Sequence, residues 1–340
     1  MYIGSKEYSR EELLRRTGDT GVLYGARLMT LRDGFSDGLR VIDVRTTAGL
    51  RLLLSESQCL DILELSFKGN NIGFTTANGF SANTYARPTS DFHEFKRFWP
   101  GNMLYTCGLR NTGASNLCGD EDFAVHDSIG LTPATKVGID IDDRGVIQIT
   151  GTMLESSIDY CLELKRTFHI PGDGSKISVR DRVRNLRHNP EWVFLLYHIN
   201  FGFPFVGEDL FLEWPRGSVE PRDDHSAKFM DSYGKIATPV DNAKEQYFIH
   251  HADDNRAHAA FYNPQLGIGA RICYDTSELP FLVEWKGVGS SHYSLGVELS
   301  TSRIRGRKEE LEDGYKTAVG AFGELQFGFD LELSTTQILE

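Results

Sequence analysis

The sequence predicts an all-β protein, a large antiparallel β-sandwich with a short N-terminal helix, and three observations carry that expectation. Short apolar runs with a two-residue period recur from Leu39 onward, Gly, Asp and Asn turns separate them, and convincing helical patterning is confined to the first twenty residues. Strands without intervening helices exclude a doubly wound parallel sheet, and no glycine-rich phosphate-binding fingerprint follows any strand.

In chain order, Ser9-Arg10-Glu11-Glu12 has the form of a capping box, Leu13 and Leu14 follow, and Gly18 is placed to stop the helix, so a helical extension is expected over residues 1–20. LRVIDVRTT and GLRLLLS then read as strands. The segment 70–135 breaks the pattern, being dense in Gly, Asn, Thr and aromatics, and is expected to line or cover the mouth of a site. Beyond it, GVIQITGTM, YCLELKRTFHI, KISVRDRVRNL, EWVFLLYHINF, AHAAFYNP, GIGARICYD, FLVEWK, YSLGVELS and ELQFGFDLEL resume the strand pattern. In the last of these, Leu325, Phe327, Phe329, Leu331 and Leu333 alternate with mostly polar residues, as on a strand with one face on a core and one on solvent. No linker or composition shift divides the chain, so a single domain over 1–340 is expected.

With 340 residues, 40% hydrophobic and 25% charged, the chain can bury a large core. Its net charge of −12 argues against a nucleic acid or an anionic membrane as partner and favours a small neutral ligand. The five cysteines (Cys59, Cys107, Cys118, Cys161, Cys273) never form a CxxC pair, which suggests reduced thiols. No HExxH or comparable spacing occurs, so neither a metal site nor a cofactor is expected. The opening MYIGSKEYSREELLRRTGD has no apolar signal-like core, and a cytoplasmic location is the expectation.

The run FLLYHINFG, residues 194–202, holds the first candidate chemistry. Strand alternation puts Phe194, Leu196, His198 and Asn200 on one face, so an imidazole and an amide occupy a face that begins apolar. Leaving such groups buried and unpaired costs roughly 1–3 kcal/mol each, which a cavity would relieve. In SLGVELS, Ser294, Gly296, Glu298 and Ser300 share a face stripped of bulk around one carboxylate, where small neighbours would leave room for a ligand. A histidine and a glutamate in one pocket suit acid–base chemistry on a hydroxylated substrate. Glu284 and Lys286 of VEWK share a face, with an exposed ion pair as the plainer reading. His126 sits in the loop-rich segment; of the adjacent His250 and His251, at most one can face a given cavity; His93, His169, His188, His225, His258 and His292 read as surface residues.

LLYHINFGFP, VELSTSRIRGR, DILELSFKGN and LYTCGLRNTGA followed by VHDSIGLTPA together resemble an uncharacterised (DUF4432-type) branch of the aldose 1-epimerase, or galactose mutarotase-like, superfamily over residues 20–335. The resemblance implies a β-supersandwich in which His198 is general acid and Glu298 general base at the anomeric carbon of a sugar. It further implies that His126 positions the substrate and that Lys286 contributes to binding. Relatives commonly carry an Arg-Gly pair where this chain reads Gln58-Cys59-Leu60-Asp61, and His-Gly-Arg where it reads His126-Asp127-Ser128. Arg110 is the candidate to compensate, and Asp61, Asn200 and His250 complete the candidate substrate-binding set. Loss of two cations favours a neutral sugar over a sugar phosphate, unless Arg303, Arg305 and Arg307 face the pocket. The expected function is mutarotation of a monosaccharide. Two alternatives stay open: a non-catalytic carbohydrate-binding or sensing protein, and a glycoside hydrolase or lyase using two carboxylates among Asp61, Glu284 and Glu298.

Overall fold

The computed structural model describes residues 1–82 and 87–337, and its architecture is three large antiparallel sheets around a shared core, with three two-stranded ribbons beside them. In spatial order the eight-stranded sheet runs Thr135–Ile141, Val146–Ser156, Cys161–Pro171, Lys176–Asn185, Glu324–Ser334, Ile268–Asp275, Arg256–Asn263, Phe211–Glu213. The six-stranded sheet runs Gly217–Pro221, Gln246–Ala252, Phe281–Gly289, His292–Ser300, Leu196–Gly202, Leu104–Cys107. A five-stranded sheet begins Gly25–Thr30, Arg40–Arg45, Leu50–Ser55, Ile62–Phe67 and closes on Asn70–Asn71.

The period-two patterns become the core because alternate residues share a face. Phe327, Phe329, Leu331 and Leu333 are buried and meet Tyr197 and its neighbours across the sandwich, with the Tyr197 and Phe329 rings 5.1 Å apart. Phe201 packs against Phe261 in the same way, at 5.4 Å. Ile42, Val44, Leu52, Leu54 and Leu65 of the five-stranded sheet belong to the same apolar cluster.

The N-terminal helix forms over Arg10–Thr17 with the expected capping box between Ser9 and Glu12, and Gly18 ends it at φ 71°. Three further helices among the described residues, Phe92–Phe98, the single turn Asp224–Ala227 and Arg307–Glu312, depart from the sequence reading. The first has its own cap signal: the Asp91 carboxylate accepts from the backbone N–H of His93 and Glu94. EWVFLLYHINF is also not one strand. Glu191–Val193 pairs with Thr317–Val319, the chain then turns, and Leu196–Gly202 enters the six-stranded sheet.

Within the alternation of Cys161–Pro171, one inward position is a cation. Arg166 is fully buried, and its N–H groups reach Asp181 (2.7 and 3.0 Å), Asp61 (2.6 Å), the Thr106 hydroxyl (2.9 Å) and the Cys59 carbonyl (3.1 Å). The Tyr197 hydroxyl donates to Asp181 at 2.9 Å. Burial still pushes the Asp61 carboxyl up to about 6, against the opposing Arg166 charge. This knot ties the three sheets together beneath the His198 strand. Removing one partner of a buried charge cluster strands the others, at a cost of about 3–5 kcal/mol. Arg166→Leu is therefore expected to lose about that much stability in urea unfolding; a loss within about 0.5 kcal/mol of zero would contradict the assignment.

Candidate active site

Register builds the site. Leu196–Gly202 and His292–Ser300 pair with His198 opposite Glu298 and Asn200 opposite Gly296, while Phe281–Gly289 sets Val283 beside Glu298 and Trp285 beside Gly296. All six residues lie on the sheet face turned away from the sandwich core. A small separate apolar cluster of Tyr105, Cys107, Leu196, Ile249, Phe281, Val283 and Ile304 lines that face. Above it opens a cleft of ≈ 870 Å³.

His198 Nε2 lies 3.3 Å from Glu298 Oε1, with both side chains buried. Neither carboxylate oxygen has a hydrogen-bond partner among the described residues, and the His198 Nδ1 has none either. The Trp99 and Trp285 rings flank the imidazole, with centroids 5.5 and 5.3 Å away. Gly296 makes this possible: a Cβ there would come within 2.8 Å of the Trp285 ring and 3.2 Å of His198. The bare strand face that suggested room for a ligand is thus occupied by Trp285 and His198 themselves.

Burial controls the protonation of the pair. It raises the Glu298 carboxyl to about 8, against the opposing positive charge of Arg222, and lowers His198 to about 3, helped by the neighbouring His126. Between those limits the two groups together hold one proton. His126 faces His198 with ring centroids 6.2 Å apart. It sits at φ 56°, and its Nδ1 accepts from the Gly113 N–H at 3.2 Å, which puts the ring proton on Nε2 and makes it a donor. Burial and the Arg222 charge lower His126 to about 4, so the donor is neutral.

Of the residues the sequence singled out, His198, Glu298 and His126 line the cleft. The other candidates stand elsewhere. Asn200 shares the His198 face but is fully buried, and its amide donates to the carbonyls of Gly101, Asn102 and His198. Its bond to the His198 carbonyl ties it to the backbone of that strand. Lys286 and His250 lie on the core side of the sheet, because each is an odd number of residues from a cleft-facing neighbour. There Glu284 accepts from His250 at 3.1 Å and approaches Lys286 at 3.2 Å, so the expected exposed ion pair is a buried cluster. Lys286 also donates to the carbonyls of Ser232, Tyr233 and Lys235. Asp61 is committed to Arg166. Arg110 is paired with Glu121 and Glu191 and stacked on Tyr160. Arg303, Arg305 and Arg307 pair with Asp313, Glu309 and Glu191 instead of facing the cleft.

The loop-rich segment does line the mouth, through Phe74, Thr76, Ala77 and Asn78, the Phe92–Phe98 helix with its C-cap Trp99, Gly113–Ser115 and Val125. Residues 83–86 of that segment lie outside the described residues. Sequence reasoning missed Phe95, Trp99, Tyr247 and Arg222, and set aside His292, which lines the cleft. Phe92, Phe95, Lys96 and Trp99 recur at helical spacing, a signal that was available once Asp91 was recognised as a cap.

The comparisons agree with this architecture. A "putative aldose 1-epimerase" from Klebsiella pneumoniae subsp. pneumoniae MGH 78578 superposes with a TM-score of 0.84 at 20% identity, covering 92% of this chain and 84% of that one. A galactose mutarotase-like protein from Clostridium acetobutylicum gives 0.65 at 15% identity, covering 92% and 99%. A galactose 1-epimerase from Lactobacillus acidophilus NCFM gives 0.62 at 12% identity, also covering 92% and 99%. The fold is the β-sandwich of these galactose mutarotase-like structures. Residues 36–333 match the family described as Domain of unknown function (DUF4432), and the chain belongs to that family. None of the curated proteins matches it.

A carboxyl raised from 4.5 to about 8 gives stability that is complete below the lower value and is lost as pH climbs through the upper one. Glu298→Gln, which keeps the neutral shape, is expected to gain on the wild type by on the order of a few kcal/mol between about pH 4.5 and pH 8.5 in urea unfolding. A stability difference that stays flat across that range would show that Glu298 ionises normally.

Proposed function

We propose that the chain is an aldose 1-epimerase-like isomerase that interconverts the anomers of a sugar by opening and reclosing its ring. The observation that carries this reading is the His198–Glu298 pair, buried and 3.3 Å apart in an aromatic cleft. Ring opening needs one proton taken from the C1 hydroxyl and one given to the ring oxygen, two atoms bonded to the same carbon. A base and an acid one hydrogen-bond length apart fit that demand.

The proton balance closes on the pair itself. In the charged tautomer, Glu298 takes the hydroxyl proton while the His198 imidazolium protonates the ring oxygen; the C1–ring oxygen bond breaks and the free aldehyde forms. The pair is then left as neutral imidazole and carboxylic acid. Rotation about C1–C2 turns the other carbonyl face to the ring hydroxyl. Closure uses Glu298 as acid and His198 as base, which restores the starting tautomer. Burial favours the neutral tautomer in the empty cleft, so a sugar entering that form is opened with the roles exchanged. His126 Nε2–H is a neutral donor for a sugar hydroxyl, and Trp99, Trp285 and Phe95 supply apolar faces for ring stacking. Both Glu298 oxygens are buried, so a sugar reaches them only if the side chains around the pair shift. Trp99 is also held by ring contacts with Phe74, Phe95, Tyr105 and Trp285.

Glycoside hydrolysis loses support, because Asp61 and Glu284 lie on the core side of the sheet while Glu298 faces a histidine. His198→Ala and Glu298→Gln are each expected to reduce anomer interconversion by about 100- to 10,000-fold, measured by NMR exchange across a panel of aldoses, with the fold retained by circular dichroism. The wild-type kcat/KM profile should be level at neutral pH and fall above about 8, where the pair loses its only proton. Saturable sugar binding without any acceleration of exchange would instead support a binding or sensing protein.

A further inference from the structure

The cleft holds a cation that the acid–base chemistry does not use. Arg222 follows the edge strand Gly217–Pro221, and its backbone N–H donates to the Tyr247 carbonyl at 3.1 Å. Its guanidinium lies over the Tyr247 ring, 4.6 Å from the centroid, half-buried in the cleft wall. Among the described residues it has no carboxylate partner and no side-chain hydrogen bond. The carboxylates beside it are already engaged: Asp223 accepts from the Ser226 N–H at 2.7 Å, and Glu245 accepts from the Tyr247 hydroxyl at 2.6 Å. Yet Arg222 is close enough for its charge to act on both Glu298 and His126.

An arginine fork laid on an aromatic face, in no ion pair among the described residues and lining the cleft that holds an acid–base pair, is a recognition element for an anion. Two parallel N–H donors match the two oxygens of a planar carboxylate; Lys96 and Lys244 also line the cleft, but each is a single ammonium without a fork, and Lys96 lies over the Phe92 ring. We propose that the substrate of this cleft is an aldose bearing a carboxylate, a sugar of the uronic acid type, and that Arg222 is the residue that selects it. This names the substrate class of the isomerase reading above and rests on it for the reaction, though not for binding. It reverses the preference for a neutral sugar that the loss of the two expected cations suggested. A bound carboxylate gives Arg222 the partner it lacks and withdraws part of its positive field from Glu298 and His126.

Matched pairs of neutral aldose and uronic acid (glucose and glucuronate, galactose and galacturonate, mannose and mannuronate) provide the test, with glucose 6-phosphate as a further arm. Anomer exchange is measured by NMR, and binding is measured separately by quenching of tryptophan fluorescence, since Trp99 and Trp285 line the cleft. At least one uronate is expected to bind at least about tenfold more tightly than its neutral partner, and Arg222→Gln to abolish that preference; Arg222→Lys should restore only part of it, because the charge returns without the fork. Uronate binding that depends on Arg222 with no exchange of any sugar would uphold this inference and overturn the isomerase. Exchange of neutral sugars with no uronate preference would uphold the isomerase and overturn this inference. Tighter binding of glucose 6-phosphate than of every uronate, or a preference unchanged in Arg222→Gln, would also overturn it.

Discussion

The molecule depends on one register, the pairing of Leu196–Gly202 with His292–Ser300 that sets His198 directly across from Glu298. A slip of one residue would turn both side chains into the sandwich and bring Tyr197, Ile199 and Val297 to the cleft. The apolar alternation enforces the register, because those residues and Phe201 are fully or almost fully buried on the core side. Beneath them, Arg166 ties Asp61, Asp181 and Thr106 to the same core, with the Tyr197 hydroxyl bonded in. The acid–base pair is therefore held by backbone pairing and core packing. Its own groups need no hydrogen bonds to stay in place.

The six-stranded sheet carries two buried ionisable clusters, one on each face, and their difference separates structure from function. On the core side, His250 bonds one Glu284 oxygen, Lys286 stands 3.2 Å from the other, and three carbonyls fix the ammonium. On the cleft side, His198 and Glu298 lie together with open hydrogen-bonding capacity and with proton affinities pushed apart by burial. Buried groups with unmet capacity cost stability, and a protein retains them where a ligand supplies the partners. Arg222 repeats the pattern at the cleft wall, as a cation laid on an aromatic ring and in no ion pair among the described residues.

Much of this was legible in the sequence because strand alternation is local. The polar face of FLLYHINFG, the isolated carboxylate of SLGVELS, the capping box at Ser9 and the lining role of the 70–135 segment need only the two periods of secondary structure. Which of two faces meets the cleft is set by register with strands far away in the chain, and here Lys286 and His250 fell on the core side. The small residues around Glu298 were visible, but their purpose was not: only the pairing of Gly296 with Trp285 and Asn200 shows that the space is filled by aromatic and imidazole rings. Arg222 follows a proline at a strand end and belongs to no periodic pattern. Its lack of a partner is a property of three-dimensional neighbours alone.

The central claim is that His198 and Glu298 share one proton at neutral pH. It is tested most directly by following the ring nitrogens of His198 by NMR in histidine-labelled protein, from about pH 5 to pH 9.5, alongside Glu298→Gln. The expected result is no ordinary imidazole titration near 6.5 and a single change near 8 that disappears in the variant. A normal titration near 6.5, indifferent to residue 298, would contradict the account.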